Sequence, residues 1–399
     1  MSAPEERMPW PLLAAAALAM FTAASSGTTR APFLLDMARD LSTSLALVGN
    51  LVAATSVSWA IAGMTAGAGS DRWGRRPFLI GGTIALCFAM LGVSSAQTFT
   101  EAIFWSVASG GCSGMFTGVI FAEVSARVGP SQQGRALGWV MSGQSLTLLV
   151  GVPLAAWVGS WIGWRGVNQC VAALAVLSCV ALMVTTHGKP SGARARGAKA
   201  PSLRAALSLP VIRLLGMGIM ERICYGLTAV YFATFLQATY HLTLDAVAIP
   251  LAVFASGNIL GTVLGGQVAD KVPNRPRTYA VAMVASGAAA LALFGWQTGV
   301  MVSVGLGFVY VFLNALARPA MLAALAEVPP QVRGTVMGLN VTCSSIGWMG
   351  ASGLGGLMMA TQGFGGFGPL TAVVAVVGAS LALVKRPINS PGHPDISDK

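Results

Sequence analysis

The sequence is short of charge: Asp, Glu, Lys and Arg make up 9% of its 399 residues, against 55% hydrophobic residues and a mean hydropathy of +0.71. A soluble surface needs roughly 25% charge, so a set of soluble domains is excluded. Histidine is nearly absent. The three present, His187, His241 and His393, fall in loops or the tail, which removes a histidine proton relay. Also missing is a glycine-rich loop followed by Lys and Ser or Thr, and the run Gly363 to Gly368 holds no basic residue for phosphate. ATP-driven transport by this chain is thereby excluded, and no enzyme signature is left. The six cysteines, Cys87, Cys112, Cys170, Cys179, Cys224 and Cys343, show neither metal spacing nor loop pairing. They read as small core residues, and neither metal nor cofactor is expected.

What is present is a recurrence of apolar stretches of about 20 residues, each long enough to cross ~30 Å of hydrocarbon as a helix. Breaking them at charges and turn residues gives twelve spans, near 11–35, 45–69, 78–97, 102–125, 135–159, 165–186, 208–238, 245–269, 278–298, 300–327, 334–361 and 366–385. The 49 glycines and 20 prolines are numerous within these spans, where small residues let helices approach closely. Leu12 to Phe21 followed by Ala23, Ala24 and Ser25 imitates a secretory signal. Glu5 and Glu6 do not suit its n-region, and its removal would leave eleven spans. The longest polar interruption, 187–207, carries Lys189, Arg194, Arg196, Lys199 and Arg204. The expected organisation is a tail at 1–10, a six-helix half at 11–186, a basic linker at 187–207, a second half at 208–385 and a tail at 386–399. Basic residues in short loops stay on the cytoplasmic side. With the N-terminus inside, nineteen Lys and Arg fall in cytoplasmic segments and only Arg39 and Arg165 in outer ones. Both termini are therefore expected in the cytoplasm. The net charge of +11 is spread over membrane-facing loops and calls for no nucleic-acid partner.

Two markers recur along the chain. Gly67, Asp71 and Arg72 match Gly266, Asp270 and Lys271 at an offset of 199, and Gly138 matches Gly338 at an offset of 200. Two six-helix units of like orientation imply a pseudo-two-fold axis along the membrane normal, with a solute cavity between them near the midplane. The string Gly67, Asp71, Arg72, Gly74, Arg75, Arg76 resembles the signature loop between helices 2 and 3 of the major facilitator superfamily, and the likeness covers roughly residues 10–386. The resemblance implies an all-α membrane protein of twelve transmembrane helices in two pseudo-symmetric halves. It also implies that Asp71 and Arg75, with Gly67, Arg72, Gly74, Arg76, Asp270 and Lys271, form a conformational latch that stabilises the outward-open state.

In the fifth span Gly143, Gly151 and Gly159 recur every eight residues and share a face, with Pro153 nearby. Small-residue helix packing is one reading. The stretch is also similar to the fifth-helix motif of drug/proton antiporters and of sugar (arabinose) efflux permeases, though Val152 separates Gly151 from Pro153 and Ala155 and Ala156 replace glycines. Those antiporters commonly carry an arginine in helix 4, where this chain has Ser106. Proton coupling by that route is not expected.

Ionisable side chains deep in hydrocarbon cost at least ~2.5–3.5 kcal/mol, so the few present are functional candidates. Counting ~1.5 Å per residue places Glu221 about 20 Å into the seventh span. Glu221 and Arg222 stand about 100° apart on a helix and are expected to find partners on other helices. One reading makes Glu221 the coupling-proton carrier, with Arg222 or Arg30 binding an anionic group, and the other a structural ion pair. Arg30, before Ala31 and Pro32, either faces the cavity or snorkels outward. Arg318 and Glu123 are placed towards cytoplasmic ends as gating or interfacial residues. Tyr225, Gln144, Asn258, Asn314 and Asn340 are further cavity candidates, with Asn50 and Tyr231, each equally suited to joining helices. Three functions follow: a proton-coupled exporter of a small solute in the inner membrane, a proton-linked importer of a small organic anion, and a non-transporting sensor or scaffold. The expected partners are a small-molecule substrate, protons and the lipid bilayer, with the chain a monomer.

Overall fold

A computed structural model describes residues 8–129, 132–186, 208–272, 274–328 and 330–384, without the side chains at 68, 71, 326, 330–335, 337 and 338. The linker at 187–207, the C-terminal tail, most of the N-terminal tail, and the side chains of Asp71 and Arg333 thus lie outside the described residues. All regular structure among the described residues is helical. The long helices are α1 (Trp10–Thr28), α2 (Leu51–Trp73), α3 (Arg75–Ser95), α4 (Phe99–Ala126), α5 (Gln133–Leu146), α6 (Val152–Thr185), α7 (Leu209–Tyr240), α8 (Ala248–Lys271), α9 (Arg275–Gly295), α10 (Val300–Ala326), α11 (Pro330–Thr361) and α12 (Phe367–Leu383). Short helices Leu34–Asp40 and Leu45–Gly49 join α1 to α2.

Ten helical segments among the described residues are long and apolar enough to cross a membrane. One of them, Gln133–Thr185, has 53 residues, about 80 Å at ~1.5 Å each, too long for one crossing. It bends at Gly163, whose φ of 66° suits a residue without Cβ, and so supplies the fifth and sixth expected spans. Helix α11 occupies the eleventh, and all twelve expected spans coincide with helix.

Local chemistry sets the ends. Thr98 caps α4 by accepting from the Glu101 amide, while the Glu101 carboxylate accepts from the Gln97 amide at 2.8 Å. Asn274 caps α9 through the Arg277 amide. Gly74 separates α2 from α3 at φ 87°, which explains the glycine of the loop motif: the chain reverses there through a conformation that a side chain disfavours. Pro153 has no amide hydrogen to give to Leu149, and the turn Thr147–Gly151 widens to a π-helix just before it.

Helices α1–α6 pack chiefly against one another, as do α7–α12. Within each set, glycines permit near backbone contact: a Cβ on Gly114 of α4 would lie 2.2 Å from the Trp59 carbonyl oxygen on α2, and one on Gly261 of α8 2.4 Å from that of Phe312 on α10. The main junctions between the sets gather at one end, opposite the start of α1. There Ser352 Oγ on α11 donates to the Gly49 carbonyl and accepts from the Ala53 amide at 3.2 Å, and Gln237 Nε2 on α7 donates to the Pro32 carbonyl at 2.8 Å. Only Cys179 and Cys224 of the six cysteines are buried, and Cys170 is exposed on α6. The expectation of six core cysteines fails because lipid tails solvate a small apolar group as well as the protein interior does.

Candidate functional site

The seventh span carries its two charges into the bundle: Glu221 is 1% exposed and Arg222 6%. They pair with each other. Arg222 Nε donates to Glu221 Oε2 at 2.6 Å and Nη2 donates to Oε1, correcting the expectation of partners on other helices. The backbone directions do diverge by about 100°, but the flexible arginine stem curls back across that angle, and the dry interior rewards a two-pronged contact. The same guanidinium lies 4.7 Å from the ring of Tyr225, which packs against Phe254 of α8 and Trp348 of α11 with centroids 6.4 and 5.6 Å away. Neighbouring helices pin this stretch of α7: Tyr279 of α9 donates to the Met217 carbonyl at 2.7 Å and Tyr310 of α10 to that of Cys224 at 2.5 Å.

Helix α10 runs antiparallel to α7, and Tyr310 at Cys224 and Met321 at Gly218, where a Cβ would lie 3.2 Å from the Met321 methyl, bracket Arg318 at the depth of Glu221. Arg318 falls within electrostatic range of Arg222, Glu221 and Tyr225. It stands eight residues before the end of α10, in the half of that helix expected to be cytoplasmic, and is at the same time a neighbour of the buried pair. Distance along the sequence gives its place on α10, and the crossing of the two helices adds the buried pair beside it. No hydrogen bond or ion pair among the described residues engages its guanidinium, and its nitrogens are not sealed in.

Arg30 belongs to a separate site in the first six helices. It is 2% exposed, so outward snorkelling is corrected to burial. Its Nη1 donates to Ser106 Oγ at 2.8 Å and its Nη2 to Ser109 Oγ at 3.2 Å, with Met90 Sδ at 4.0 Å, while Nε has no partner. The guanidinium that helix 4 lacks at Ser106 is supplied to the same place by α1. Neither Arg30 nor Arg222 keeps an open face for a solute.

The other candidates scatter. Asn314 is fully buried, its Nδ2 3.8 Å from Met283 Sδ and its Oδ1 unpartnered. Asn258 and Asn340 are half-buried, and Gln144 is exposed. Asn50 Oδ1 is buried without a partner, and Tyr231 donates to the Ser352 carbonyl at 3.4 Å. Gly143, Gly151 and Gly159 all turn towards α1 and the turn after it: their Cβ positions lie 2.0 Å from the Ala17 carbonyl oxygen, 3.2 Å from Phe21 and 2.2 Å from Phe33. Their common face is a packing face, with Pro153 buried beside it.

In the loop motif Arg75 Nη1 stands 3.5 Å from Glu123 Oε2, and Arg127 Nε donates to Glu123 Oε1 at 2.6 Å. In the second six helices Arg275 pairs with Glu327. Both arrangements join helices of one set. Sequence reasoning missed them, although Glu123 and Glu327 repeat at nearly the offset of the flanking motifs. Arg72 lies 5.5 Å from the Trp73 ring, Gly67 has open space around it, and Asp270 and Lys271 are exposed at the end of α8.

Comparison with known proteins places this architecture. A family model described as Major Facilitator Superfamily matches residues 16–352 and 214–398. The MFS-type transporter YceJ of Bacillus subtilis is 25% identical over 339 residues, covering 84% of this chain and 86% of that protein. The chloramphenicol efflux pump Rv0191 of Mycobacterium tuberculosis is 27% identical over 380 residues, covering 89% and 88%. A bacterial homologue of the human lysosomal transporter Spinster, solved inward-facing and occupied, shares the fold with a TM-score of 0.75 at 18% identity, covering 96% of this chain and 94% of that one.

Proposed function

This chain belongs to the major facilitator superfamily, and from that premise we propose that it exports a small, partly apolar solute across the inner membrane in exchange for protons. Two six-helix halves, 11–186 and 208–385, would rock about a central cavity, both termini and the linker staying in the cytoplasm and the protein working as a monomer. The observation that carries the reading is Glu221. It is the one acidic residue of the sequence set deep within a span, and its carboxylate rests on Arg222. Proton uptake there removes the charge that holds Arg222, raising the net charge of Glu221, Arg222 and Arg318 from +1 to +2. A proton thereby frees a cation on α7, and α7 touches the opposite half at Pro32. Export, as against import, is supported by the efflux pump aligned over most of both chains.

The test is transport in proteoliposomes holding the purified protein, with chloramphenicol as first probe, an imposed pH gradient and a pH dye inside. Proton and solute should move in opposite directions, and Glu221→Gln should abolish gradient-driven accumulation while leaving passive exchange of labelled solute. Uphill transport by Glu221→Gln at the wild-type rate would remove the coupling role, and co-directional movement would replace export by import.

A further inference from the structure

Of the three arginines set within the bundle, Arg30, Arg222 and Arg318, two are buried and engaged. Arg222 is held on both carboxylate oxygens of Glu221, and Arg30 is sealed against Ser106 and Ser109. Arg318 differs on each count. It has no hydrogen-bond or ion-pair partner among the described residues, and its side chain is only half-buried. It also belongs to a group of three charges whose sum is positive. A guanidinium is costly to keep unpaired inside a bilayer, so one that faces accessible space in the interior is built to be completed by something that comes and goes.

We infer that Arg318 anchors the solute, and that the solute is an aromatic compound bearing a flat two-oxygen acceptor, a nitro or carboxylate group, with cations rejected. This rests on the transporter reading but on neither its direction nor its coupling ion. The planar fork of an arginine presents two parallel donors that match two oxygens on one plane. An aromatic body is favoured because half-buried Trp348 stands edge-on to Tyr225, whose ring stacks on Phe254, beside the cluster. Cations are disfavoured on two grounds. Both oxygens of Glu221, the only carboxylate in the cluster, are taken by Arg222, and the two arginines repel a third positive charge.

The experiment is equilibrium binding to the purified full chain in detergent micelles, with two pairs of probes. Chloramphenicol is set against its analogue in which the nitro group is reduced to an amine, and phenylacetate against phenethylamine. Wild type should bind the oxygen-bearing member of at least one pair tenfold or more tighter than its amine partner, and which pair responds separates nitro from carboxylate. Arg318→Met should lose that preference, by roughly tenfold to hundredfold as for hydrogen bonds to a charged group, with binding of the neutral aryl amine unchanged and that of cationic phenethylamine no weaker than in wild type. Arg318→Lys keeps the charge without the fork. It should retain part of the phenylacetate affinity and less of the chloramphenicol affinity, and it serves if the methionine variant fails to fold. Equal binding of amine and oxygen compounds, wild-type preference in Arg318→Met or in both pairs for Arg318→Lys, or no binding of either oxygen compound by wild type each overturns the inference. Loss of export with this binding pattern intact would remove the proposed transport direction and leave the anchor standing.

Discussion

The sharpest consequence of the buried pair is an asymmetric double-mutant cycle between Glu221 and Arg222. At the 2.6 Å separation of Nε and Oε2, the gross attraction is about 6 kcal/mol at an effective dielectric of 20. Desolvation of two ions offsets several kcal/mol each, so the net worth of the pair is small, while truncating one partner strands the other. Glu221→Leu leaves Arg222 and Arg318 as two neighbouring cations with no carboxylate, and should cost about 3–5 kcal/mol. Arg222→Met is milder, about 1–3 kcal/mol, because Arg318 stands within reach to neutralise Glu221 in its place. The double variant removes both charges and should recover at least ~2 kcal/mol of the summed losses. The assay is reversible unfolding in mixed detergent micelles, with helicity by circular dichroism as the readout. Losses that simply add would refute direct pairing, and an Arg222→Met variant as damaged as Glu221→Leu would refute the neighbouring position of Arg318.

Two further outcomes follow from the packing. Gly143→Val drives a side chain into the Ala17 carbonyl and should lower folding yield and melting temperature sharply, whereas Gly138→Ala, which meets open space, should leave both unchanged when read by thermal melts of purified protein. Arg30→Met and Ser106→Ala should couple by about 1–3 kcal/mol in the same unfolding assay, since the serine hydroxyl directly accepts from the guanidinium. Additive losses there would place Arg30 in some other contact.

Much of the fold was legible because it is written in composition and period. Each expected span coincides with helix since twenty apolar residues in lipid have only one economical way to satisfy their backbone groups. The two breaks that were hardest to read have local causes: Gly163 turns one 53-residue helical segment into two crossings, and Pro153 widens the preceding turn. The candidate site was legible in part. Glu221 and Arg222 stood out because charge in a span is expensive, but their mutual pairing did not, since a helical wheel records where a stem leaves the backbone and not where a long side chain ends. The neighbours of Arg318 were hidden for a related reason, since position along α10 says nothing of what α7 brings beside it. Gly143, Gly151 and Gly159 shared a face as their spacing required, yet only the position of α1 shows what that face meets.

By itself the sequence determined a polytopic helical protein, its charge asymmetry, the repeat near 200 residues and the lone acid in the seventh span. These are properties of local stretches, set by hydropathy, periodicity and the cost of charge in hydrocarbon. The tertiary structure decided which charge is spent and which is free: Arg222 on Glu221, Arg30 on two serines of α4, and Arg318 facing accessible space. Partner choice depends on how twelve helices rotate and cross. A single helix is apolar on nearly every side in a membrane and carries no record of that rotation, so the assignment appears only once the helices are packed.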